Sequence, residues 1–273
     1  MSPFPPEAPT PGKSGRASLV GAGPGDPELL TVKALRRIES ADVLLYDKLV
    51  DPRILDLAPA HARRIDVGKR CGRHEMSQAA INRLIVAHAR AGSHVVRLKG
   101  GDPMVFGRAG EELEALAAAG VPAEVVPGIT VACAAAASMG MPLTQRGYSR
   151  SLHLITGHAC QDGGADEALP AHDWNALAAC DGTIAIYMGS RTLGQVTQRL
   201  LAAGLSPGTP AIAIENATLA TERRLPGTVA DIAAVVADAA VTGPTLVLVG
   251  RVVALRRRDA VESAMTEVRS RAA

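Results

Sequence analysis

Three short apolar runs in the first half of the chain each end in a glycine turn. Ser18–Ala22 runs into Gly21-Ala22-Gly23-Pro24-Gly25-Asp26, His94–Leu98 into Lys99-Gly100-Gly101-Asp102-Pro103, and Ala123–Val126 into Pro127-Gly128-Ile129-Thr130. Further runs read as strands at Asp42–Tyr46 and Arg64–Val67. Helical patterns separate them at Thr31–Ala41, Ser77–Ala91, Ala109–Ala119 and Ile129–Met139. Ser77 is a cap at the start of its helix, Ile81, Leu84 and Ile85 form a stripe, and Gly92 and Gly120 sit where a left-handed stop is wanted. Strands alternating with helices imply parallel pairing. In such sheets ligands bind beyond the carboxyl ends of the strands. Three glycine turns there outline one cleft.

A second series of this kind begins near Ser151. Its strands are expected at Leu152–Thr156, Thr183–Tyr187, Ala211–Glu215 and Thr245–Val249, and its helices at Leu193–Ala203 and Val229–Ala237. The stretch 142–150 has little periodicity and marks the expected boundary. The reading is an α/β protein with a tail over 1–15, domains over 16–145 and 146–255, and a C-terminal tail over 256–273. Residues 162–173, rich in Gly, Asp and Ala, read as an exposed loop.

The first turn suggests a dinucleotide fingerprint but departs from it. Asp26 stands at the third glycine position, and Pro27 and Glu28 delay the helix to about Thr31, so a pyrophosphate would not meet a helix N-terminus. Composition narrows the function further. Aromatic residues are 2% of the chain and the formal net charge is +2, which disfavours nucleic-acid binding. No apolar run reaches membrane-spanning length. Cys71, Cys133, Cys160 and Cys180 are widely spaced, so zinc and disulfides are not expected, and the chain reads as cytoplasmic.

Longer motifs carry a resemblance. Val20 to Pro27, Tyr46-Asp47-Lys48-Leu49-Val50, Val67-Gly68-Lys69-Arg70, Arg97 to Pro103, Phe106-Gly107-Arg108 with Glu111-Glu112, Val126 to Thr130, Tyr187-Met188-Gly189 and Gly250-Arg251-Val252-Val253 resemble the tetrapyrrole methylases in this order. The resemblance spans about Ser18 to Leu255 and is strongest to the branch that methylates uroporphyrinogen III. It implies two α/β domains with the active site in a cleft between them, no metal, and a homodimer. It also implies S-adenosylmethionine as methyl donor, released as S-adenosylhomocysteine, and two methylations of uroporphyrinogen III, giving precorrin-1 and then precorrin-2.

Carried onto this chain, the donor positions are Pro24, Gly100, Gly101, Asp102, Val105, Thr130, Val131, Met188 and Ala217. Asp47 and Lys69 fall on the acid/base pair. Arg108 and Glu111 fall where substrate contact or proton transfer is expected, and Arg108, Arg146 and Met188 on the substrate side. Ala109, Val131 and Gln145 depart from the family pattern.

The chemistry agrees with several of these roles. Carbon methylation needs in-line positioning and a base for the departing proton. An acceptor with eight carboxylates needs cations, for which Arg70, Arg108, Arg146 and Arg150 are candidates. The competing readings are another precorrin methyltransferase, a non-catalytic tetrapyrrole-binding module and a nucleic-acid methylase.

Overall fold

The computed structural model describes residues 15–68, 76–158 and 169–256. The chain divides into two compact units, residues 1–130 and 131–273.

The first unit carries five parallel strands: β1 (Arg16–Gly21), β2 (Val43–Tyr46), β3 (Arg63–Asp66), β4 (His94–Lys99) and β5 (Ala123–Val126). Their order is β3-β2-β4-β1-β5, with Ala17 paired to both Val95 and Ala123. The helices are α1 (Val32–Glu39), α2 (Pro52–Leu55), α3 (Gln78–Arg90) and α4 (Ala109–Ala118). Strand period two sorts side chains onto two faces. Leu19, Leu45 and Val95 pack against Ile81 and Ile85 of α3 and Leu116 of α4. Val20, Leu44, Val96 and Leu98 pack against Ala34 and Ile38 of α1 and Ile54 of α2. Helix starts are made locally. Thr31 Oγ1 accepts the Ala34 amide at 3.1 Å, and Ser77 Oγ accepts that of Ala80 at 3.2 Å.

The second unit has α5 (Val131–Ser138), β6 (Leu152–Thr156), α6 (Trp174–Ala179), β7 (Thr183–Tyr187), α7 (Leu193–Ala202), β8 (Pro210–Glu215), β9 (Arg223–Thr228), α8 (Ile232–Asp238) and β10 (Thr245–Val249). Its strand order is β6-β7-β10-β8-β9. Only β6 and β7 pair in parallel; β10 lies antiparallel between β7 and β8, and β9 pairs antiparallel with β8. The expectation of parallel pairing therefore fails for this sheet. The short turn after β8 folds the chain back as a hairpin, which only antiparallel strands allow. β9 is not among the expected strands; with Arg223, Arg224, Pro226 and Gly227 it lacks an apolar run, and it is an edge strand, where proline is tolerated.

The units part at Thr130 and Val131, earlier than the stretch 142–150. The reason is packing. Ala132, Ala135 and Ala136 of α5 lie against Ala185, Ile212, Ile214, Leu246 and Leu248 of the second sheet. The expected tails at 1–15 and 256–273 fall almost wholly outside the described residues, as does most of the 162–173 loop. No helix among the described residues is long and apolar enough to cross a membrane.

Candidate active site

The three glycine turns of the first unit meet at the carboxyl edge of its sheet. Gly23 donates to the Gly101 carbonyl at 3.1 Å and Gly101 to that of Gly23 at 2.7 Å. A Cβ on Gly21 would lie 2.5 Å from the Gly128 nitrogen, and one on Gly128 would lie 2.2 Å from the Gly101 oxygen. Backbone thus packs on backbone, which only glycine permits. Asp102 locks the arrangement: its carboxylate accepts the Met104 amide at 2.8 Å and the Gly128 amide at 3.0 Å. Gly101 differs from its neighbours. Its φ is +69°, and the nearest atom to a Cβ would be Thr130 Cα at 3.9 Å, so a cradle of open space lies above it. Pro24, Gly100, Gly101, Asp102, Val105 and Thr130 all belong to these turns, and each is half-buried.

Below the turns lies a charged cluster that sequence reasoning did not single out. Arg97 and Lys99 alternate along β4 on the face that Val95 shares with α3 and α4, and both are buried. There they meet Glu112 of α4, which is 0% exposed. Lys99 Nζ donates to both Glu112 oxygens at 3.0 Å, Arg97 Nε donates to Oε1 at 3.2 Å, and Gln78 Nε2 donates to the same oxygen at 3.2 Å. Burial, together with the neighbouring Arg97 charge, pulls the Lys99 ammonium below its ordinary range. Arg97 also reaches Asp47 Oδ2 at 3.4 Å, while Asp47 Oδ1 accepts the Leu49 amide at 3.1 Å. The signal was a period-two pair of cations in an otherwise apolar strand.

Asp47 follows β2 at this same edge and is half-buried. Lys69, its expected partner, lies outside the described residues, as does Arg70. Arg108 precedes α4 with φ +53°. It donates bidentately to Glu111, Nε to Oε1 at 2.7 Å and Nη2 to Oε2 at 2.9 Å. That pairing holds the Glu111 carboxyl below the ordinary carboxylate range.

Val131, Arg146, Met188 and Ala217 belong to the second unit. Met188 follows β7, is half exposed and has φ +52°. Ala217 follows β8, is 4% exposed and sits between Asn216 and Thr218, both at positive φ. β7 and β8 run the same way, so Met188 and Ala217 share one sheet edge. Val131 opens α5 beside it, since the Ala132 amide donates to Tyr187 Oη at 3.3 Å. Arg146 is not brought to that edge. Its loop is fixed at the start of β7, where Thr183 Oγ1 donates to the Leu143 carbonyl at 2.6 Å and the Arg150 amide to that of Asp181 at 3.2 Å. Non-glycine residues in left-handed backbone cost energy and concentrate at functional sites; Phe106, Arg108, Met188, Asn216 and Thr218 are such residues here, and Ala240, in the turn after α8, is another that adjoins none of the expected site residues in sequence.

The family model for Tetrapyrrole (Corrin/Porphyrin) Methylases matches residues 17–233. A siroheme synthase of Aeromonas hydrophila is 51% identical over 244 residues, which are 89% of this chain and 50% of that protein. This chain thus spans about half the length of the siroheme synthases it matches. A uroporphyrinogen-III C-methyltransferase of Paracoccus denitrificans is 45% identical over 88% of this chain and 82% of its own length. Among solved structures, a uroporphyrin-III C-methyl transferase of Thermus thermophilus in complex with S-adenyl homocysteine is 42% identical. It matches with a TM-score of 0.74 over 88% of this chain and all of that one. A cobalt precorrin-4 methyltransferase matches with a TM-score of 0.76 at 28% identity, over 87% of this chain and 95% of its own.

Proposed function

The chain belongs to the tetrapyrrole methylases, and from that premise we propose that it methylates uroporphyrinogen III twice, giving precorrin-2, with S-adenosylmethionine as donor. What carries the reading is the likeness, over 88% of this chain and all of the other, to the Thermus methyltransferase solved with S-adenyl homocysteine. Fold alone would serve a later precorrin equally well, since the cobalt precorrin-4 enzyme shares it; the higher sequence identity favours uroporphyrinogen III. The reading extends to a homodimer acting in the cytoplasm.

The donor supplies an electrophilic methyl group on a sulfonium. The residues present suit such a ligand. The space above Gly101 admits close approach of a ligand to the backbone, because Gly101 has no side chain and only Thr130 Cα lies within 4 Å of where a Cβ would stand. Catalysis then rests on holding the acceptor carbon in line, since a pyrrole carbon needs no covalent enzyme nucleophile. The carbon loses a proton after alkylation. We assign the base to Asp47, which follows β2 at the carboxyl edge of the first sheet, with Glu111 as the second candidate once a substrate carboxylate has taken Arg108. Arg108 is the cation for an acceptor carboxylate. Its bond to Glu111 is exposed, and exposed pairs are worth about 0–1 kcal/mol, so a substrate carboxylate can take Glu111's place.

Anaerobic incubation with uroporphyrinogen III and S-adenosylmethionine, followed by mass spectrometry, tests the reading. A doubly methylated tetrapyrrole is expected. Methylation of a later precorrin with none of uroporphyrinogen III would overturn it.

A further inference from the structure

Away from the Met188 edge, the second unit holds a cysteine–histidine pair. His153 lies on β6, on the same side as Ile155, the side that α6 covers through Leu177. α6 ends at Cys180, whose amide bonds back to the Ala176 carbonyl. This places Cys180 Sγ 2.8 Å from His153 Nε2. Ser151 Oγ stands 3.0 Å from the same nitrogen and 3.3 Å from the sulfur. Gly182 makes the cluster possible: a Cβ there would lie 2.4 Å from Ser151 Oγ, 2.6 Å from the Cys180 sulfur and 3.0 Å from His153 Cδ2. Cys180 is half-buried and lines an open cavity of about 260 Å³ together with Asp181, Ser206, Thr209 and Arg251. Among the described residues no group of three or more His, Cys, Asp or Glu is placed to hold a metal.

We infer that Cys180 is a thiol–disulfide exchange site, with His153 as its base and a small disulfide of the glutathione type as its co-reactant. The thiolate is the attacking species, and an adjacent imidazole that takes the proton makes it available. His153 Nε2 takes the Cys180 proton and Sγ attacks one sulfur of the disulfide. The old S–S bond breaks as the new one forms. The departing thiolate takes the proton from the imidazolium, leaving a mixed disulfide on Cys180 and one free small thiol. Nothing in this step draws on the methyl-transfer residues.

The test treats the full chain with glutathione disulfide and follows each cysteine by differential alkylation, digestion and mass spectrometry. Cys133, exposed on α5, is the internal reference. Cys180 is expected to form the mixed disulfide at least tenfold faster than Cys133 although it is less exposed. His153→Gln is expected to remove that advantage and leave the Cys133 rate unchanged. Ser151→Ala, which keeps both thiol and imidazole, is expected to retain it. Equal rates at Cys180 and Cys133 in the unaltered protein would overturn the assignment. So would an unchanged Cys180 rate in His153→Gln. If His153→Gln unfolds, both cysteines accelerate together, and the comparison in the unaltered chain and in Ser151→Ala decides.

Discussion

Gly101 holds a left-handed backbone with nothing but Thr130 Cα near its missing side chain. Valine there pays a conformational cost of about 1–2 kcal/mol and fills the cradle with two methyl groups. Gly101→Val is expected to fold and to lose at least tenfold in affinity for S-adenosylhomocysteine by calorimetry; unchanged affinity in the folded variant would move the donor site elsewhere. Asp47→Asn keeps the bond to the Leu49 amide and removes the proton acceptor. Turnover should fall while both ligands still bind. If turnover is unchanged, the base is another group. Arg108→Ala should raise KM for the tetrapyrrole through loss of a charge-assisted contact worth about 1.5–3 kcal/mol. Arg146→Ala should do so less, since its loop is tied to the start of β7. Steady-state kinetics on the two variants compares them directly.

α4 is the element on which the candidate site depends. It starts at Arg108 without a side-chain cap, and its first turn carries both Glu111 and Glu112. What holds that turn to β4 is the buried Glu112 carboxylate between Lys99 and Arg97. Taking ions out of water costs several kcal/mol each, so the pair itself adds little net stability, yet removing one partner strands the others. Glu112→Ala is expected to cost about 3–5 kcal/mol in urea denaturation. The double variant Lys99→Met with Glu112→Leu should recover a large part, because two apolar side chains replace two ions. Its kcat should stay low, because neither side chain holds Arg97 toward Asp47 as Glu112 does. A double variant with full kcat would show that α4 needs packing there and not charge.

At the scale of the molecule, acid should loosen the first unit at a definite place. Glu124 on β5 binds Arg37 and, at 2.9 Å, Lys33, both on α1. The Arg37 hydrogen bond, against some desolvation, pulls the Glu124 carboxyl from 4.5 down to about 2. A carboxyl lowered on folding adds stability that is complete above its unfolded value and vanishes as pH falls toward the folded one. Discounted for its partial exposure, that contribution is about 1–2 kcal/mol. Glu124→Gln should therefore lower stability by that amount at pH 7, and the difference from the unaltered protein should close between pH 4.5 and 2. A constant difference across that range would reject the linkage. Much of the first unit was legible beforehand, because apolar periodicity, caps such as Ser77 and glycine turns act over a few residues. Its parallel sheet and the meeting of the turns at Gly21, Gly101 and Gly128 follow from such local signals. The second sheet was not legible in this way, since whether β10 pairs parallel or antiparallel depends on strands far away in sequence. Charge hides in part: Arg97 and Lys99 show as two cations at period two in an apolar strand, but nothing in one dimension says that Glu112 of α4 meets them. The sequence by itself determined an α/β chain with glycine turns aligned for a ligand. Only the tertiary structure decided which charges are buried together and that β9 and β10 run against the other strands of their sheet, because both depend on partners that folding brings into contact.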